Sequence, residues 1–368
     1  MKQAQIRINR ALRTLHPFPA RLSVALAEAR LSAARRPTLA MVPTIVLAVG
    51  VIAVCHAGGP APAQNLVSSP AISTPSSLPG ATASRTAIAL PTTAQFSASP
   101  NNVVWGLIAD GVLFRSSDAG NRWEQRPLPP SDRGLANPEI SFVDDHEGWL
   151  LTTGSPATQC QSQVTAIWHT ADAGATWQFV NASGVADAGC KSGLSFVDET
   201  HGFLAAWDQS HAPVIYRTAD AGRTWSASRP MPDPPGFTTH PGGISFEPGR
   251  VRAFGPTLLV NAGSYVFRST DGGASWTYLA TTPRTSTSIA LVTASRWLEL
   301  VVPSQNEETL DAGASWHAYT SDYSQAAPVA PDVVFADSQF GYATVRGGLK
   351  RTVDGGAHWS ALHTPGTA

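Results

Sequence analysis

The chain has 368 residues, of which 43% are hydrophobic and only 14% are charged. This is enough for one large domain with extensions. Residues 1–38 hold eight basic residues and one acidic residue, whereas the remainder carries a net charge of about −8. Such an acidic bulk excludes nucleic acid as the expected partner, because phosphate binding needs a basic surface.

The first predicted element is a transmembrane helix at residues 39–57. These residues form an uncharged run of about nineteen residues, long enough to cross a bilayer. The basic flank precedes the run, so residues 1–38 are expected to stay in the cytoplasm and the rest to be exported. Cleavage of a signal peptide near Ala63 is the alternative, because Ala61-Pro62-Ala63 has the small-residue pattern of a cleavage site. The chain would then be secreted.

Residues 58–93 are predicted to be a linker. They are rich in Pro, Ser, Thr and Ala and show no sustained hydrophobic periodicity. Such a composition cannot bury enough apolar surface to fold, so the segment would hold the following domain away from the membrane. Within it, residues 86–90 could add a strand to the domain at 94–368.

This domain is built on an eight-residue motif, Ser/Thr-x-Asp-x-Gly-x-x-Trp, that occurs six times. Its mean spacing is about 47 residues, within the range typical of solenoids and propellers. In such a turn the Asp accepts hydrogen bonds from backbone N–H groups, the Gly supplies a positive φ, and the Trp begins the returning strand. The motif therefore predicts a structural strand–turn–strand unit. The six Asp and Trp pairs are Asp118 and Trp123, Asp172 and Trp177, Asp220 and Trp225, Asp271 and Trp276, Asp311 and Trp316, and Asp354 and Trp359.

A second motif, Phe-x-Asp-x-x-x-Gly followed by an aromatic residue, precedes three of the boxes. It occurs at Phe142–Trp149, Phe196–Phe203 and Phe335–Tyr342. With it, each repeat is interpreted as four strands, which in the third repeat lie at 193–197, 202–207, 214–218 and 224–228. Six such units without any helical pattern predict an all-β fold, a six-bladed β-propeller. A seven-bladed ring, with a blade lacking the box at residues 80–100, is the alternative.

The eight-residue motif is identified as the Asp-box, or bacterial neuraminidase repeat. Together with the second motif and the Asp-Gly-Gly-x-x-Trp variants at Asp271 and Asp354, the sequence over 95–365 resembles the photosystem II stability/assembly factor-like propellers. It resembles sialidase-type propellers more distantly. The closer resemblance implies a non-catalytic scaffold or assembly factor outside the cytoplasmic membrane. We expect a monomer whose partner is a membrane or cell-surface protein or a glycan.

A sialidase-like glycoside hydrolase acting on extracellular glycans is the alternative function. That chemistry needs an arginine cluster, an acid, and a tyrosine nucleophile paired with a glutamate. Between Ser99 and Ser116 the only arginine is Arg115, which belongs to a box strand. The motifs therefore predict no catalytic residue, no metal ligand and no cofactor. The acidic candidates fall in or near repeated turns: Asp144, Asp145, Glu147, Asp198, Glu199, Glu307 and Glu308.

A cation stands directly before five of the six boxes. A ring of cations for an anionic partner is one interpretation, and local pairing with a neighbouring blade is the favoured one. The five residues are Arg115, His169, Arg217, Arg268 and Arg351.

Cys160 and Cys190 both fall in the second predicted repeat. An exported domain meets an oxidising compartment, so we predict a disulfide between them that pins the long insertions of that blade. Loop closure makes such a bond worth about 3 kcal/mol. Because binding usually resides on loops of a rigid scaffold, a contact surface is expected around residues 155–163 and the proline-rich 230–241.

Overall fold

The computed structural model describes residue 88 and residues 92–130, 136–236, 246–284, 288–325 and 332–367. Within these ranges the strands form six antiparallel sheets of four strands each, and each sheet runs in chain order. The prediction of a six-bladed propeller with four-stranded blades is confirmed. The predicted cytoplasmic segment, the membrane helix and the linker up to residue 87 lie outside the described residues. Over the described ranges, no helix has the length and apolar character needed to span a bilayer.

The blades follow one another without sharing a strand. The first contains β1 Ala94–Ala98, β2 Val104–Ile108, β3 Val112–Ser116 and β4 Glu124–Arg126; the second β5 Ala136–Phe142, β6 Gly148–Thr153, β7 Thr165–Thr170 and β8 Gln178–Val180; the third β9 Cys190–Phe196, β10 Gly202–Trp207, β11 Val214–Thr218 and β12 Ser226–Ala227. The fourth contains β13 Arg252–Phe254, β14 Thr257–Ala262, β15 Tyr265–Ser269 and β16 Thr277–Thr281; the fifth β17 Ser288–Leu291, β18 Trp297–Leu300, β19 Glu307–Thr309 and β20 His317–Ala318; the sixth β21 Val333–Phe335, β22 Gly341–Val345, β23 Gly348–Thr352 and β24 Ser360–Ala361.

Each Asp-box closes the turn between the third and fourth strands of its blade. In the third blade the Thr218 hydroxyl donates to Asp220 Oδ1 (2.8 Å) and accepts the N–H of Gly222 (3.0 Å), which lies at φ 88°. The Thr224 N–H donates to the same Asp220 oxygen (2.8 Å). The Ala221 N–H reaches the Thr200 carbonyl in the turn between β9 and β10 (3.0 Å). The box therefore ties together the two turns at one end of the blade, and we call the surface that these turns form the Asp-box face.

The Phe and Gly of the second motif are cross-strand partners. Phe142 pairs with Gly148, and a Cβ atom on Gly148 would lie 2.1 Å from the Phe142 ring. The motif therefore needs glycine because the phenylalanine ring occupies the space of a side chain. Its aspartate serves the turn, since Asp144 Oδ1 accepts the N–H groups of His146 and Glu147, both at 2.7 Å.

The hydrophobic core lies between adjacent blades, and each of its clusters contains one Asp-box tryptophan. Between the second and third blades, the buried ring of Trp149 stacks on Phe196 at 3.6 Å, and Trp225 meets Phe196 edge-on. The Trp149 indole also donates to the Ala221 carbonyl of the third blade (3.2 Å). Large aromatic side chains thus fill the wedge between twisted sheets.

Contacts between the sixth and first blades close the ring. Asp332 Oδ2 accepts the Phe96 N–H (2.7 Å), and Arg351 donates to the Ala119 carbonyl (2.6 Å). The N–H of Ile88, in the segment considered for an added strand, donates to the carbonyl of Gly366 (3.0 Å).

Candidate functional site

The central channel is lined by the first strand of each blade. Along it, three serines accept backbone N–H groups from the next blade: Ser97 from Phe142 (2.9 Å), Ser141 from Phe196 (2.7 Å) and Ser195 from Val251 (3.0 Å). We call Ser97, Ser141 and Ser195 the serine belt. It joins the first four blades through their inner strands. The sequence carries a signal for this belt, because Ser141 and Ser195 each precede the Phe of the second motif.

Two arginines from the start of the fourth blade reach toward other blades. Arg250 donates to the Phe96 carbonyl (2.8 Å) and to Gln95 Oε1 (3.0 Å) in the first blade. The first and fourth blades are opposite in a six-bladed ring, so this side chain crosses the channel. Arg252 donates to the Phe335 carbonyl of the sixth blade. Burial lowers the pKa of Arg252 to about 10, the like charge of Arg250 acts in the same direction, and Asp332 opposes both.

The channel carboxylates also bind neighbouring blades. Glu139 Oε2 accepts the Leu194 N–H (3.1 Å) across the interface between the second and third blades. Burial raises the pKa of Glu139, although Arg250 and the Leu194 N–H oppose the shift. Asp332, which accepts the Phe96 N–H, lies 3.6 Å from Arg250 Nη1. Neither carboxylate can act as a free acid or base without losing a contact between blades.

Most of the acidic residues singled out in the sequence are held by partners in their own blade or a neighbouring one. Asp145 forms a two-pronged ion pair with Arg115 of the first blade, with hydrogen bonds of 2.7 and 2.6 Å. Glu147 lies 2.6 Å from His169 within the second blade. The remaining candidates are distributed as follows: Asp198 contacts His201, Glu307 lies near Arg284, Glu308 binds Arg296, and Glu199 is exposed.

The cations that precede the boxes divide into two groups. Arg115 and Arg351 bind the following blade and His169 binds its own, in line with the favoured interpretation of local pairing. The guanidinium groups of Arg217 and Arg268 form no hydrogen bond or ion pair with the described residues, so local pairing does not extend to these two.

The Asp-box aspartates are placed one per blade on turns, and each is held by its own box. Hydrogen bonds from the Thr176 hydroxyl, the Thr176 N–H and the Thr170 hydroxyl lower the pKa of Asp172 to about 2. The pKa of Asp220 and that of Asp311 are likewise lowered to about 2, first by the hydroxyl four residues on. Over the described residues, no three His, Cys, Asp or Glu side chains form a group able to hold a metal ion.

The opposite surface, formed by the turns between second and third strands and by the connections between blades, is called the connecting face. Here Cys160 and Cys190 form a disulfide with Cα atoms 4.9 Å apart. Cys160 lies in the loop between β6 and β7, and Cys190 is the first residue of β9. The bond therefore joins the second and third blades, and the expectation that it pins the insertions of a single blade is wrong. The reason is that the third blade begins earlier in the chain than its motif suggested.

A small cavity of about 330 Å³ opens between the first and second blades on the connecting face. It borders the mouth of the central cavity, whose volume is about 1460 Å³, and Asp110 lines both. The small cavity is called the interblade pocket. Its described lining consists of Asp110, Leu128, Pro129, Pro130, Ala136, Asn137, Pro138, Leu150, Thr152 and Trp168.

The fold and its hydrogen-bonded boxes define the chain as an Asp-box β-propeller. No protein-family model and no curated protein matches it. Among solved structures it is similar to YCF48 bound to D1 peptide, with 19% identity over 72% of this chain and 94% of that one and a TM-score of 0.41. It is also similar to YCF48 from Cyanidioschyzon merolae, with 18% identity over 74% of this chain and 86% of that one and a TM-score of 0.46. A Hadza microbial sialidase is similar with 13% identity over 73% of this chain and 65% of that one and a TM-score of 0.48. These represent both groups of propellers that the motifs resemble, and at such identities they say nothing about function.

Proposed function

We propose that this protein is a non-catalytic binding or assembly module, exported and anchored to the membrane by residues 39–57. The observation that carries the proposal is that three charged residues of the channel are engaged in contacts between blades. Arg250, Asp332 and Glu139 all hold backbone or side-chain groups of other blades. General acid–base or nucleophilic chemistry needs groups that are free to meet a substrate. A rigid ring with irregular connections suits binding instead.

The disulfide supports the exported location, because such bonds persist mainly in oxidising compartments. It lies on the connecting face, which we propose as the side that meets a membrane or cell-surface protein. The structure of YCF48 is described with a D1 peptide. A peptide partner is proposed here because of this chain's own connecting face, and not because of that similarity.

The test is capture of partners by the full chain, carrying a carboxyl-terminal tag, from detergent extracts of its own membranes. Mass spectrometry should show one membrane complex enriched over a tag-only control, and the purified complex should bind the chain saturably. The same preparation is incubated with a panel of glycans. Release of sugar by the native chain, absent from an Asp332→Asn variant, would overturn the proposal in favour of a glycoside hydrolase.

The location needs a separate measurement. Protease added to intact cells should remove the carboxyl-terminal tag, while the membrane pellet retains a fragment that contains residues 1–57. A chain recovered from the medium with a new amino terminus near Ala63 would instead support cleavage and secretion.

A further inference from the structure

We infer that the interblade pocket binds one apolar side chain of a peptide partner and that Asp110 holds a positive charge next to that side chain. The inference rests on the proposed function, because it names the chemistry of the partner. It concerns a part of the connecting face that none of the sequence motifs covers.

The pocket lies at the end of the core between the first and second blades that faces the connecting face. Leu150 and Trp168 belong to that core and are 0% and 7% exposed, and Leu128 packs against it. Pro129, Pro130 and Pro138 complete a predominantly apolar wall. A volume of about 330 Å³ lies at the lower end of the roughly 300–1,000 Å³ typical of ligand sites. Such a space suits a single apolar side chain, which would gain from leaving water.

A distortion of β5 keeps this end of the core open. The pairing of β5 with β6 shifts register between Ala136 and Glu139. Asn137, inside the shifted segment, has a φ of 49°. Bulges redirect the side chains of a strand and are over-represented at sheet edges and next to binding sites. The bulge leaves Thr152 of β6 partly exposed inside the pocket.

Asp110 supplies the charge. It stands at the tip of the turn between β2 and β3, is exposed, and has a φ of 53°. Its carboxylate forms no hydrogen bond or ion pair with the described residues, in contrast to every Asp-box aspartate. A free carboxylate at the edge of the pocket favours an ammonium or guanidinium group and disfavours acidic peptides and anionic lipid surfaces.

The arrangement therefore selects an apolar residue beside a lysine or arginine. Because Asp110 lines both cavities, an extended peptide lying over the channel mouth could place its cation at Asp110 and insert the neighbouring side chain between the blades. We expect the apolar group to provide most of the affinity and the charge to discriminate against acidic peptides.

The experiment measures the binding of three fluorescently labelled, amino-terminally acetylated peptides to the full chain by anisotropy. Their sequences are Gly-Ser-Phe-Lys-Ser-Gly, Gly-Ser-Phe-Glu-Ser-Gly and Gly-Ser-Ser-Lys-Ser-Gly. The Phe-Lys peptide should bind saturably and at least about fivefold more tightly than either of the others, a difference of about 1 kcal/mol.

Two variants separate the apolar and charged parts of the site. Asp110→Asn removes the charge but keeps a residue that tolerates the left-handed backbone, and it should weaken binding of the Phe-Lys peptide by about fivefold. Thr152→Phe fills the pocket and should abolish binding. Glu199→Gln, which removes one exposed charge on the Asp-box face, is the matched control and should bind as the native chain does.

Absence of saturable binding, or equal binding by the native chain, Asp110→Asn and Thr152→Phe, would overturn the inference. If Thr152→Phe fails to fold by circular dichroism, Ala136→Phe fills the pocket from an exposed position. A membrane complex captured equally well by the native chain and both variants would leave the proposed function standing while rejecting this pocket.

Discussion

The two faces of the propeller differ in how they use the same residue types. On the Asp-box face, six aspartates repeat the same hydrogen bonds: Thr170 to Asp172 and Thr309 to Asp311, for example, both measure 2.8 Å. On the connecting face no such repetition is found among the described residues, and this face carries the disulfide, the interblade pocket and the free carboxylate of Asp110. Repetition thus reveals what a closed ring requires. The departures from it reveal what is specific to this chain.

The largest effect is expected where the repeat builds the interblade core. Trp149→Ala removes a buried ring stacked on Phe196 and should lower the free energy of unfolding by about 3–5 kcal/mol. Val164→Ala, on an exposed loop of the connecting face, should change it by less than about 0.5 kcal/mol. Guanidinium titration of both variants checks the contrast, and a similar loss from each would contradict it.

Breaking the disulfide tests whether the connecting face contributes stability of its own. Replacing Cys160 and Cys190 together by serine should lower the free energy of unfolding by about 3 kcal/mol, because a covalent link between two blades is lost. Reductant should produce the same loss in the native chain and none in the double variant. If reductant destabilised both proteins equally, the effect would not come from this bond.

The serine belt should give an intermediate effect. Ser141→Ala leaves the Phe196 N–H without its acceptor at a buried interface and should destabilise the chain by about 1–3 kcal/mol. Ser155→Ala is a matched control, because Ser155 is exposed on the connecting face. Equal midpoints in urea for the two variants would show that the belt is dispensable.

The sequence determined the repeated parts of the fold more closely than the irregular ones. The strands predicted at 202–207 and 214–218 match β10 and β11, because alternation and the two motifs bound them on both sides. The other two strands of this blade differ from the predicted 193–197 and 224–228, because β9 begins at Cys190 and β12 has only two residues. Each of them pairs with a single neighbour in its sheet, and that pairing sets where the strand begins and ends. The six boxes also gave the correct number of blades over the described chain.

The candidate site was much less predictable. Arg250 and its Phe96 partner are 154 residues apart, so no local pattern connects them. The interblade pocket depends on a bulge at Asn137, and only the Asn-Pro dipeptide hinted at an interruption of β5 there. The cysteine pair was correct, but the motif placed the boundary of the third blade after Cys190, which hid its role between blades.

The smallest effects concern how stability changes with pH, and acid should act on stability in opposite directions through the Asp-box face and through the channel. The folded-state pKa of Asp172 and that of Asp220 are about 2, below the roughly 3.9 of an unfolded aspartate. Their hydrogen bonds therefore stabilise the chain above about pH 4, and this contribution is lost as the pH falls toward 2. The pKa of Glu139 is raised by burial, so through this residue stability rises as the pH falls toward the roughly 4.3 of an unfolded glutamate and changes no further below it. Glu139→Gln, which keeps an acceptor for the Leu194 N–H, should therefore lack the gain in stability that Glu139 gives the native chain on acidification above about pH 4.3, whereas Asp220→Asn should lose stability less steeply than the native chain between about pH 4 and 2. Urea titrations in both pH ranges check this, and an Asp220→Asn slope equal to the native one below about pH 4, or a Glu139→Gln slope equal to the native one above it, would contradict the assignment.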